Sequence, residues 1–183
     1  MQKEKMMAYI ETVSPIDAQG KVAEIYEKIA STLGFVPNAM KIYSSSPELL
    51  ENIWNQISIY MQHPTLSAPL LAAIRMLVSE RQECEYCVGF NRAMLINHAG
   101  WTQEQVDLTL KDAANAPFGE KEKALLLYVI DALKAPKKLQ RSRIGDLHSL
   151  GWSDAEILEA VHHAAQNVAE DMVFNTFGIE TDY

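Results

Sequence analysis

The tripeptides Gly100-Trp101-Thr102 and Gly151-Trp152-Ser153 lie 51 residues apart, each preceded by two helical-period segments and followed by a third. In each, glycine closes one helix and a hydroxyl residue opens the next, with Gln105 and Glu156 three positions on to complete a capping box. A supersecondary pattern that recurs at a fixed offset reads as an internal duplication. The offset sets 71–79 beside 122–130, both strongly apolar at helical spacing, and no strand pattern competes. An all-α fold is therefore expected.

The remaining punctuation agrees. An extended arm is expected over 6–14, then a helix over 18–33 closed by Gly34, a turn, and a short helical piece over 40–43. Ser46-Pro47 supplies an N-cap and an N1 proline for a helix through Leu50, Trp54 and Tyr60, which His63-Pro64 stops. Ser67 caps a helix apolar nearly all round, hence central, that ends by Gln82. Further helices are expected to about Asn97, from Thr102, over 120–133, over 139–150 and from Ser153 to about Phe177, with a loop over 113–117. One domain, 1–183, then divides into an N-terminal extension (1–65), a first repeat (66–116) and a second (117–183).

Both cysteines fall in the first repeat, as Cys84-Glu85-Tyr86-Cys87. Two cysteines placed at random would show this spacing roughly one time in a hundred, so the pair asks for a chemical reason. At the start of a helix, side chains three apart are neighbours, and the sulfurs can be linked with little backbone movement. The unsatisfied N–H groups there favour an anion at Cys84, and the thiolate is the nucleophile. Burial as two small apolar side chains ranks below this redox reading, and zinc lower again, because no second Cys pair or close His pair stands at ligand spacing. His162 and His163 are adjacent, point about 100° apart on a helix and would not chelate one ion together.

A net charge of −8 with no basic cluster beyond Lys137-Lys138 argues against nucleic acid. No run approaches the about eighteen apolar residues of a membrane span, and no signal-peptide block follows Met1-Gln2-Lys3-Glu4-Lys5, so a cytoplasmic protein is expected.

Leu66-Ser67, Ser79, the CxxC, Gly100-Trp101 and Gly151-Trp152-Ser153-Asp154 together resemble the carboxymuconolactone decarboxylase / AhpD-like superfamily. Upstream, 33–38 and 46–50 resemble the N-terminal extension of its peroxidase-related branch, so the likeness covers nearly the whole chain. The resemblance implies a helical homo-oligomer, a trimer or hexamer, whose dithiol reduces a small hydroperoxide without a cofactor or metal. It implies that Cys87 attacks the peroxide to give a sulfenic acid, that Cys84 condenses with it, and that a thiol or lipoyl-type donor restores the pair. Two positions depart from the family pattern: Asn91 stands where a histidine is usual and Ala72 where a glutamate is. Asn can bond a thiolate but cannot take its proton, so weak turnover is expected.

Among other residues, His162 or His163 is a candidate substitute proton acceptor, a structural histidine being the favoured reading. Glu83 and Glu85 read as solvated, Tyr86 as packing, and Trp101 and Trp152 as core anchors. Three functions follow in order: a peroxidase or disulfide reductase using Cys84, Cys87 and Asn91; a redox-sensing or scaffold protein without turnover; and an enzyme on a small organic acid, with Arg75 or Arg92 as carboxylate clamp.

Overall fold

In the computed structural model, which describes residues 8–182, the chain is helical and, among the described residues, without strands. The helices are α1 (Gly20–Leu33), α2 (Asn38–Lys41), α3 (Pro47–Met61), α4 (Ala68–Arg81), α5 (Glu85–Asn97), α6 (Gln103–Lys111), α7 (Glu120–Lys134), α8 (Ser142–Ser149) and α9 (Asp154–Phe177). They fall into two compact units. One holds residues 8–62 and 173–182; the other holds 63–172.

In the first unit α1 packs on α3, burying Val22, Ile25, Tyr26 and Ile29 from one and Leu50, Trp54 and Tyr60 from the other. The expected arm begins at Met6, outside the described residues, and its described part is held by polar contacts. The Tyr9 N–H donates to the Phe177 carbonyl (2.8 Å), the Val13 N–H to Ser44 Oγ (2.8 Å), and Tyr26 Oη to the Val13 carbonyl (3.0 Å). Ser46 precedes α3 as expected but makes no side-chain cap. Its ψ of 84° falls well short of the 148° and 157° of Ser67 and Thr102, whose hydroxyls do close on the third residue of their helices.

The second unit is built on α4, which packs against α5, α6 and α7. Leu70, Leu71, Ala73, Ile74, Met76 and Val78 are buried around most of its circumference, as expected of a central helix. Met76 is fully covered within the chain, so this helix is core and offers no methionine to a partner.

Both Gly-Trp corners have the construction read from the sequence. Gly100 and Gly151 take φ of 72° and 84°, values closed to most side chains, and Trp101 and Trp152 are buried behind them. Thr102 with Gln105, and Ser153 with Glu156, form reciprocal capping boxes. Trp101 meets Phe118 edge-on at 5.2 Å, and Trp152 donates its indole N–H to the Lys121 carbonyl at 2.9 Å. Some boundaries depart: α1 begins at Gly20 rather than 18, the loop expected over 113–117 holds a 3₁₀ turn over Ala113–Asn115, and α8 begins at Ser142 rather than 139, because Pro136 opens a 3₁₀ turn and Leu139 is extended, so the helix must start afresh. No helix among the described residues is long and apolar enough to cross a membrane.

Candidate active site

The site begins with how α4 stops. Cys84 N–H donates to the Ser79 carbonyl (2.9 Å) and Glu83 N–H to the Glu80 carbonyl (3.3 Å), the two bonds of a Schellman turn. The left-handed position is normally glycine; here it is Glu83, at φ 55°. The next residue already caps α5: the Cys84 carbonyl accepts from Val88 N–H at 3.0 Å. With no loop between the helices, Cys84 is buried at 1% exposure and Cys87, in the first turn of α5, at 7%. Both thiols are free.

Helix α9 supplies what they meet. Asp171 is fully buried, and its carboxylate and the two sulfurs offer ligand atoms that all lie within 4.8 Å of one another. Ser79 Oγ donates to Asp171 Oδ1 (2.9 Å), and Asn167 Nδ2 donates to Asp171 Oδ2 (2.8 Å) and to Ser79 Oγ (2.8 Å). Both sulfurs face this carboxylate. Burial lifts the Asp171 carboxyl above its ordinary range, and its neighbours Cys87, Ser79, Cys84 and Asn167 work against the rise. The Cys87 thiol is pushed up by its hydrogen bond with Cys84, then by burial, then by the charge of Asp171. At this sulfur the Cys84 contact and burial, with the carboxylate charge added, prevail over the helix N-terminus, and the thiol form is favoured.

A second polar group lies alongside. Arg75 of α4 donates from Nε to Asn91 Oδ1 (2.8 Å), and its Nη1 faces His163 Nε2 (3.1 Å). Asn91 Nδ2 in turn donates to the Cys87 carbonyl at 2.8 Å. Since Arg75 can only donate, His163 Nε2 is assigned as acceptor and the proton to Nδ1. Burial and then the Arg75 charge hold His163 down at about 3, so it is neutral. Burial lowers Arg75, while the charges of Glu170 and Cys87 oppose the drop. Burial raises Glu170 to about 7 against the pull of Arg75.

Cys84 and Cys87 come together, while Asn91 spends both ends of its amide on Arg75 and the Cys87 backbone. Ala72 is buried on the α4 face that also carries Arg75 and Ser79. His163 sits at Arg75 and is too weak a base to stand in for the missing histidine; His162 is exposed. Arg92 is committed to Asp107 at 2.7 Å, so of the two proposed clamps only Arg75 is at the site. Tyr86 stacks on Phe90 at 6.4 Å, and Glu83 and Glu85 are solvated, as read.

Asp171 and Asn167 were not singled out in the sequence. Their signal was present, because Ile157, Ala160, Ala164, Asn167 and Asp171 recur at alternating spacings of three and four along α9 and are all buried. Two polar residues in such a stripe need partners within the fold.

Comparison with solved structures decides the architecture. A peroxidase-related protein with an alkylhydroperoxidase AhpD core from Ralstonia eutropha superposes with TM-score 0.84 at 16% identity, covering 98% of this chain and 94% of that one. The fold is AhpD-like. A second peroxidase-related protein, from Silicibacter sp., gives TM-score 0.82 at 19% identity over 98% of this chain and 94% of its own. A debrominase, in complex with 2,3,4-tribromopyrrole, gives 0.71 at 16% over 97% and 92%. No family model matches the sequence, and no curated protein does. The AhpD-like fold is thus shared with proteins described by different chemistry, and the fold alone does not fix what this chain does.

Proposed function

We propose that the chain is a thiol-dependent oxidoreductase that reduces a small hydroperoxide through the Cys84 and Cys87 pair, with Asp171 as proton acceptor. The observation that carries this reading is the meeting of two free thiols and one buried carboxylate within 4.8 Å. Cys87 keeps the small exposed surface and Cys84 almost none, so Cys87 meets the peroxide first. Its proton passes to Asp171 as sulfur attacks one peroxide oxygen. The O–O bond breaks, the alkoxide leaves, and it takes the proton back from Asp171 to depart as an alcohol. Cys87 is left as the sulfenic acid. The Cys84 thiol then displaces water from that sulfur and forms the disulfide; an external thiol or lipoyl-type dithiol reduces it by exchange and is itself oxidised.

Asp171 takes the place of the histidine and glutamate that the resemblance led us to expect. A carboxyl raised by burial is better matched to a thiol proton than an ordinary one. The test is single-turnover oxidation of the reduced chain by hydrogen peroxide and by an alkyl hydroperoxide. Cys87→Ser should abolish peroxide consumption, and Cys84→Ser should stop at a trappable sulfenic acid. Unchanged consumption by Cys87→Ser would refute the reading.

A redox sensor without turnover is the second reading, favoured by the upward push on the Cys87 thiol. It keeps single-turnover oxidation but shows no sustained consumption with an excess of dithiol donor. We also propose a homo-oligomer, trimer or hexamer, supported by large apolar side chains left exposed on α3 (Ile59, 63%; Met61, 49%) and on α9 (Leu158, 69%; Met172, 67%).

A further inference from the structure

We infer that the reduced site is also a binding site for a soft divalent cation, zinc above all, held by Cys84 Sγ, Cys87 Sγ and an Asp171 carboxylate oxygen. From sequence the CxxC lacked further ligands nearby; the fold brings one from α9. In tetrahedral zinc sites Zn–S is about 2.3 Å and Zn–O about 2.1 Å, which sets the ligand atoms roughly 3.5–3.8 Å apart. Three ligand atoms already within 4.8 Å need only a small contraction to meet this.

The surroundings fit a metal as well as the ligands do. Asp171 is fixed at both oxygens by Ser79 and Asn167, and each oxygen retains a lone pair, so the carboxylate is oriented by partners other than the cation. Two thiolates and a carboxylate carry three negative charges. A divalent ion leaves one, and Arg75, close enough for its charge to be coupled to Cys87, offsets it. The hydrogen-bond partners of Arg75, Asn91 and His163, are neutral, and the Glu170 carboxyl coupled to it is raised to about 7 by burial, so neither of these partners cancels its charge. The fourth position falls to water or a small anion. Binding exchanges one cation for the two thiol protons, with no change in oxidation state: Zn²⁺ enters, two H⁺ leave.

Both sulfurs of a metal-bound site are occupied, so zinc should shield the dithiol from peroxide. This consequence rests on the redox reading above, whereas the binding does not.

The experiment loads the reduced full-length chain with Co²⁺ and, separately, with Zn²⁺. Co²⁺ should give a sulfur-to-metal charge-transfer band with tetrahedral visible bands, and Zn²⁺ should release two protons per chain and abolish it by competition. Asp171→Asn should weaken Zn²⁺ by about tenfold or more. The disulfide form of the unmodified chain should not bind, a control that holds even if the variant fails to fold. A Co²⁺ spectrum without sulfur bands, equal affinity in the disulfide form, or unchanged affinity in a folded Asp171→Asn would each overturn the inference. A chain that consumes peroxide but ignores zinc sinks this inference alone; one that binds zinc but forms no peroxide-driven disulfide sinks the redox reading alone.

Discussion

The corner between α4 and α5 and the corner between α7 and α8 hold matching places in the order of helices, and they differ in a few residues of backbone. After α4, one Schellman turn leads straight into α5, so Cys84 and Cys87 are buried and every polar atom there needs a partner. After α7, Ala135 and a 3₁₀ turn over Pro136–Lys138 intervene, and Lys137 and Lys138, in the region that the 51-residue offset pairs with the cysteines, lie in solvent. A similar sequence of helices thus yields a dry polar cluster at one corner and a wet surface at the other. Chemistry follows the tight turn rather than the fold.

The largest expected contrast is in activity. Cys87→Ser at the first corner should lose peroxide-driven disulfide formation altogether, while Lys138→Ala at the second should leave rate and stability unchanged, within about 0.5 kcal/mol.

Next is Asp171→Asn. Loss of the proton acceptor should slow peroxide reduction by about 10²-fold. Loss of the negative charge should, in the same protein, lower the pH at which Cys87 becomes alkylatable, since that charge helps hold the thiol up. Opposite movements of rate and alkylation pH separate a proton acceptor from a merely structural carboxylate, which would not produce them. Kinetic and alkylation profiles on the same samples check both.

Stability against pH gives a third effect with two signs. His163 is held down near 3 from 6.5, so its contribution is complete above about 6.5 and is lost as pH falls toward 3. Glu170 is held up near 7 from 4.5, so its contribution is complete below about 4.5 and is lost as pH rises through 7. Glu170→Gln should therefore remove a decline in thermal midpoint between about 4.5 and 7, and His163→Gln should soften the acid limb. Identical pH profiles for either variant and the parent would contradict the assignment.

The smallest effect concerns the turn itself. Glu83→Gly relieves a left-handed residue and should stabilise the chain by about 1 kcal/mol, a rise of roughly 2–4 °C in Tm, with the peroxide rate unaltered.

The fold was legible because helices signal themselves locally. Ser67, the two capping boxes and the all-round apolarity of α4 are patterns within a few residues, and each formed as read. Ser46 and the start of α8 were misread because they depend on backbone angles that residue type does not fix. Cys84 and Cys87 announced themselves by spacing. Asp171 lies on a different helix, far along the chain, and only packing brings it to the sulfurs; its trace, shared with Asn167, was polarity within a buried stripe. Arg75 was visible as a charge within the central helix, but its ties to Asn91 and His163 are likewise tertiary.

The most direct test of the central claim is to treat the reduced chain with one equivalent of peroxide and map its peptides by mass. A single Cys84 to Cys87 disulfide, with two thiols lost per peroxide consumed, is the expected result. Thiols left intact, or Cys87 driven to a sulfinic acid with Cys84 still free, would contradict it.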